Sequence, residues 1–183
     1  MAHLTTSVEY GIHCLLWLTS SGDKALSSRD LAELQGISPS FLAKIFPKLE
    51  KAGIVSATEG VRGGYRLARP PEKISFLDIV DAIEGDKPLF DCQDIRGRCA
   101  LFDGSAPTWA TRGVCAIHAV MLKVEKTMRD ELAAHSLADV SATLGKKAPE
   151  SFYSEVNDWI ANRVGARSTG GQAASRAACR ARE

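Results

Sequence analysis

The chain has 183 residues, 45% of them hydrophobic and 25% charged, with a net charge of +1. That balance suits one ordinary domain, or a small domain with an oligomerising arm, and excludes a disordered chain or a disulfide-stapled miniprotein. No apolar run approaches ~18 residues, so no membrane-spanning helix is expected. The start, Met-Ala-His-Leu-Thr-Thr, lacks the basic region of an export signal, which points to the cytoplasm.

Residues 5 to 20 read as a helix, with Val8, Ile12, Leu15 and Leu16 on one stripe and Gly22 as a stop. Ser27 and Asp30 form an approximate capping box for a short helix from Ser28 to Gln35, and Gly36 breaks the chain. Ser38 as N-cap and Pro39 at the first position begin a third helix, which ends before Gly53. Its buried stripe is Leu42, Ile45, Phe46 and Leu49; Lys44, Lys48 and Lys51 share another face. Pro47 removes a hydrogen bond to the Ala43 carbonyl and is expected to bend or shorten this helix.

Two short apolar segments, from Ile54 to Thr58 and from Tyr65 to Ala68, flank a glycine-bearing loop and read as a β-hairpin. Helix, helix, turn, helix, hairpin is the order of a winged helix-turn-helix, closed by Pro70-Pro71. Ser75 caps a helix carrying Ile79, Val80 and Ile83, which stops at Gly85. Residues 86 to 113 read as a long loop. From Val114 to about Ala134, the positions of Ile117, Val120, Met121, Val124, Met128 and Leu132 mark an amphipathic helix suited to a dimer interface. Glu150 to Val164 is a further helix, and residues 166 to 183, rich in Gly, Ser, Ala and Arg, are expected to be disordered.

The expected fold is therefore mainly α with a small β-hairpin wing. It comprises a winged helix-turn-helix domain at 1–71, a sensor loop and dimerisation helix at 72–144, a C-terminal helix at 145–165 and a tail at 166–183. Between Ser38 and Arg69 six basic residues face only Glu50 and Glu59, a local balance of +4 in a nearly neutral chain. Phosphates demand such charge, and the start of the third helix suits the major groove. Ser38, Ser40, Phe41 and Lys44 are the base-facing candidates; Lys48, Arg62 and Arg66 are candidates for phosphate or minor-groove contact.

The cysteines are Cys14, Cys92, Cys99, Cys115 and Cys179, an odd set with three clustered in the second half. In a reducing compartment such a cluster points to metal binding or redox sensing rather than structural disulfides. The spacing Cys92-x6-Cys99-x15-Cys115-x2-His118 is compatible with an iron-sulfur cluster or a zinc site. Glu9 and His13, four apart, leave one face of the first helix and could grip one site. Cys14 reads as a small buried hydrophobe, Cys179 as incidental, and the three tryptophans carry no evident site chemistry.

The run Gly36-Ile37-Ser38-Pro39-Ser40-Phe41-Leu42-Ala43-Lys44-Ile45-Phe46, with Leu49 to Val55 and Gly63-Gly64-Tyr65-Arg66-Leu67, resembles the Rrf2 family of bacterial winged-helix regulators over residues 3 to 145. The resemblance implies a homodimer on double-stranded, pseudo-palindromic operator DNA, with a sensor loop and a dimerisation helix after the wing. Ala43 stands where IscR-like members carry an acidic residue, which implies a different operator.

For the sensor, the resemblance supplies two ligand sets for a [2Fe-2S] cluster. The IscR-like set maps to Cys92, Cys99, Cys115 and His118, with an unusually long gap before Cys115. The RsrR-like set maps to Cys92 and Cys115 of one subunit with Glu9 and His13 of the other. Val8 to Cys14 and Phe90 to Arg98 resemble the RsrR-like segments, and Glu9 and His13 share one helix face, so that set is preferred. The expectation is a non-enzymatic redox-sensing transcriptional regulator. The rivals are a cluster-free thiol- or zinc-based regulator and an iron-sulfur electron-transfer protein.

Overall fold

A computed structural model describes residues 4–60 and 63–180, with side chains through residue 166. The first helix, α1 (Thr6–Ser20), is capped by the Thr5 hydroxyl, which accepts from the Ser7 N–H. Its buried face is Val8, Gly11, Cys14, Leu15, Leu16 and Leu18, while Ile12 from the expected stripe is only half-buried. In α2 (Ser28–Gln35) the Ser27–Asp30 capping box is formed in both directions. In α3 (Pro39–Lys51) Leu42, Ile45, Phe46 and Leu49 are buried. This helix runs through Pro47 without a break, because Pro47 and Ala43 lie on its exposed side, where water can satisfy the orphaned carbonyl.

Strands β1 (Val55–Thr58) and β2 (Gly64–Leu67) pair antiparallel, Val55 opposite Leu67 and Thr58 opposite Gly64. A bridge from Leu26 to Tyr65 fastens this wing to the segment entering α2. The Phe46 ring packs on Tyr65 at 4.6 Å, joining the third helix to the wing. Together these elements form a winged helix-turn-helix around one core.

Helix α4 (Phe76–Glu84), with a Ser75–Asp78 capping box, buries Ile79, Val80 and Ile83 against α1 and α3. The loop expected over 86–113 contains two short 3-10 turns, at Ile95–Arg98 and Ala100–Phe102, and a single helical turn, α5 (Thr108–Thr111). The long helix α6 (Ala116–Ala134) follows. Its stripe is largely uncovered in a single chain: Ile117, Val120 and Val124 are each at least half exposed. Arg129 holds Asp81 of α4 with paired hydrogen bonds of 2.9 and 2.8 Å.

Two differences from the sequence reading lie after α6. Helix α7 (Leu137–Gly145) was not expected; a third Ser-x-x-Asp capping box, Ser136 with Asp139, starts it, and Leu137 is fully buried. Helix α8 spans Glu150–Arg180 and so continues through the stretch expected to be a disordered tail. Alanine-rich sequence without proline favours that continuation despite Gly170-Gly171. Val156 and Ile160 bury one face of α8 in the common core. Among the described residues no helix is long and apolar enough to cross a membrane.

Candidate functional site

Two surfaces bear the candidate chemistry. The first is the outer side of α3, where Ser38, Ser40, Lys44, Lys48 and Lys51 are exposed. Ser38 and Ser40 share a 2.8 Å hydroxyl hydrogen bond at the helix start. Phe41 is half-buried, its ring meeting Tyr10 of α1 edge-on at 5.3 Å, so much of this side chain fastens α3 to α1. Lys44 carries an exposed charge, whereas the Lys48 ammonium donates to the Ile83 carbonyl at 2.7 Å and caps the end of α4. On the wing Arg66 is exposed and donates from Nε to the Ser56 hydroxyl at 3.3 Å. Arg69, counted in the basic segment, pairs with Asp78 at 3.2 Å. Arg62 lies outside the described residues.

The second surface is the loop that leads into α6. Cys92 and Cys115 line one cavity of about 330 Å3, together with Phe90, Ile95, Arg96 and Ile117. Cys115 is the residue just before the first turn of α6. The backbone N–H groups of His118 and Ile117 face its sulfur, and with the nearby Arg96 guanidinium they hold the thiol below the ordinary cysteine value.

Arg96, which the sequence reading passed over, braces this arrangement. Its Nε donates to Asp94 Oδ1 at 2.6 Å and its Nη2 to the Gly113 carbonyl at 3.0 Å. It thereby ties the Cys92 side of the loop to the segment ending at Cys115. Asp94 itself adopts a left-handed backbone conformation, φ 42°. An Asp and an Arg two apart are unremarkable in sequence; their role depends on the distant Gly113 carbonyl.

The remaining candidates are dispersed. Cys99 is exposed and lies outside that cavity. The His118 ring sits 6.1 Å from that of Phe90. Glu9 and His13 are exposed on α1 and share the wall of a different cavity, about 440 Å3, with Leu4, Val8 and Ile12. Among the described residues no three His, Cys, Asp or Glu side chains of one chain stand together as a metal site. Cys92 and Cys115 thus line one cavity and Glu9 and His13 another, and neither pair forms a metal site by itself. Cys14 is fully buried, and burial pushes its thiol up to about 12. The side chain of Cys179 lies outside the described residues.

Comparison with known proteins places this geometry in context. Residues 4–143 match the Rrf2 family, described as iron-dependent transcriptional regulators. The protein rrf2 of Nitratidesulfovibrio vulgaris Hildenborough is 33% identical over 138 residues, covering 75% of this chain and 85% of that protein. A protein of Mycobacterium tuberculosis named as an HTH-type transcriptional regulator is 31% identical over 159 residues, covering 86% and 91%. Among solved structures, IscR of T. potens superposes with a TM-score of 0.59 at 27% identity, covering 82% of this chain and 95% of that one. CymR, the global cysteine regulator of B. subtilis, superposes with a TM-score of 0.61 at 20% identity, covering 78% and 98%, a likeness of fold.

Proposed function

The chain belongs to the Rrf2 family of DNA-binding transcriptional regulators, and from that premise we propose that it is a cytoplasmic homodimer that senses redox state through a [2Fe-2S] cluster shared between subunits. The ligands are Cys92 and Cys115 of one subunit with Glu9 and His13 of the other, as in the RsrR-like branch. The observation that carries this reading is the pairing of Cys92 and Cys115 in one cavity, with Glu9 and His13 together in another. Each half is incomplete in one chain and complementary to the other half in a symmetric dimer.

Bound there, the cluster supplies a one-electron change whose potential is set by mixed thiolate, imidazole and carboxylate ligation. The chain's own part is mechanical. Glu9 and His13 flank Tyr10 on α1, and Tyr10 bears on Phe41 of α3. A change in how α1 is held against the partner's loop is carried by that ring contact to the recognition helix. Two half-sites about one DNA turn apart make affinity sensitive to such a rotation.

A second reading rests on one observation: the Cys115 thiol, held below its ordinary value beside Cys92, suits a cluster-free thiol switch. Anaerobic purification with iron and sulfide assays separates the two. The cluster reading expects both elements in the wild type and their loss in Cys92→Ala, Cys115→Ala, Glu9→Ala and His13→Ala. Cys99→Ala and His118→Ala should keep normal spectra. Absence of iron and sulfide from the wild type overturns the cluster; loss confined to the cysteine and His118 variants reverses the ligand choice toward the IscR-like set.

A further inference from the structure

A third cavity, of about 340 Å3, lies between α1, α7 and α8, away from the paired cysteines. Trp17 and Leu16 of α1 form its floor, Leu144 of α7 one side, and Ala148, Phe152 and Tyr153 the outer wall. That outer wall lies beyond residue 143, where the family match ends, so the C-terminal segment closes the site. The segment is firmly seated. Val156 and Ile160 are buried, Phe152 packs 6.3 Å from Trp17, and Arg163 pairs with Glu33 of α2.

The lining fixes the chemistry of an occupant. No Lys, Arg, Asp or Glu lines the cavity, whose polar side chains are His13, Ser20, Gln35, Ser141 and Tyr153, so a charged occupant meets no fixed counter-charge there. Its volume is at the lower end of the ~300–1,000 Å3 usual for small-molecule sites and is too small for a docked helix. Aromatic rings on two walls favour a flat ring system. One polar group is aimed by a fixed hydrogen bond: the Trp17 indole N–H donates to Gln35 Oε1 at 2.7 Å. Because indole only donates, that contact assigns the amide oxygen and leaves the Gln35 NH2, without an acceptor among the described residues, to donate elsewhere.

We propose that this cavity is an effector site for a small, uncharged aromatic molecule bearing a hydroxyl or carbonyl oxygen, which accepts from the Gln35 amide. Gln35 is the last residue of α2, directly before the Gly36 turn into the recognition helix. Occupancy therefore bears on the placement of α3. His13, a proposed cluster ligand, also lines this cavity, so the site is tested on iron-free protein, where no cluster engages that imidazole.

The test is calorimetric titration of the full chain with 2-naphthol, alongside naphthalene-2-sulfonate. The expected result is saturable binding of one 2-naphthol per chain, with the sulfonate about tenfold weaker or worse. Ala148→Phe fills the cavity from the link between α7 and α8 and should abolish binding while the circular dichroism spectrum is kept. Ser141→Phe, from α7, gives the same reading should the first variant fail to fold. Non-saturable binding of 2-naphthol, equal binding of the sulfonate, or undiminished binding by a folded filled variant would overturn the proposal.

Discussion

Replacing Gly64 with alanine tests the way the wing is fastened. A Cβ at this position would lie 2.6 Å from both the carbonyl carbon and oxygen of Leu26 and 2.8 Å from the Ser27 nitrogen. These are backbone atoms, so no rotamer change relieves the clash and the two segments must separate. The Leu26 N–H to Tyr65 carbonyl bond of 3.0 Å and its return partner of 2.8 Å are then lost. At ~1 kcal/mol net for each bond, and with some loosening of the Ser27 cap of α2, the cost is about 2–3 kcal/mol. Reduced freedom of the unfolded chain offsets about 0.4–1 kcal/mol of this, leaving about 2 kcal/mol. A chain of this size loses ~2–4 °C in Tm per kcal/mol, so a fall of about 4–8 °C is expected. Thermal unfolding followed by circular dichroism at fixed protein concentration measures it. Gly97→Ala is the control, since its Cβ would meet only Ala106 and Thr111 side chains at an ordinary 3.5 Å. A Gly64→Ala variant within about 1 °C of wild type, well inside the predicted range, would refute the close-approach argument.

Other outcomes follow from individual contacts. Lys44→Ala should reduce the slope of log affinity for operator DNA against log salt by about 0.9 per half-site, whereas Lys48→Ala, whose ammonium caps α4, should change it much less; gel retardation over a salt series distinguishes them. In iron-free protein, iodoacetamide should label Cys115 and spare Cys14 at pH 8, as the first thiol is held low and the second is raised to about 12; peptide mass spectrometry reads both. The Ser136 hydroxyl, donating to Asp139, holds that carboxyl below its ordinary value. Its stabilisation is present above the unfolded pKa and is lost as pH falls through the lower folded value, so Asp139→Asn should flatten the acid limb of the stability curve.

The DNA-binding half was legible because each of its elements is specified locally. Ser27 with Asp30 and Ser38 with Pro39 mark where α2 and α3 begin, and the spacing of Leu42, Ile45, Phe46 and Leu49 selects the buried face. The discord at Pro47 disappears in three dimensions because its side of the helix is exposed. Helix α7 carried the same start signal as α2 and α4, in Ser136 and Asp139, but its short apolar run is weakly periodic. The first half of α8 was legible from its apolar face, where Val156 and Ile160 are buried, whereas its continuation to Arg180 carries no apolar stripe to announce it. At the site, the pairing of Cys92 with Cys115 depends on Arg96 reaching Gly113, a contact across the loop that spacing cannot reveal. Phe41, whose position in the motif suggested base contact, is half-buried with its ring edge-on to Tyr10, a contact that spacing does not announce.

The central claim, a ligand set divided between two subunits, is tested most directly by complementation. Cys92→Ala and His13→Ala chains, differently tagged, are co-expressed, and the mixed dimer is isolated anaerobically for iron and sulfide assay. In that dimer one site carries both lesions and the other carries none, so the account predicts about half the wild-type iron and sulfide, although neither parent homodimer holds a cluster. A mixed dimer as empty as its parents, beside an iron-loaded wild type, would contradict it and place every ligand within a single chain.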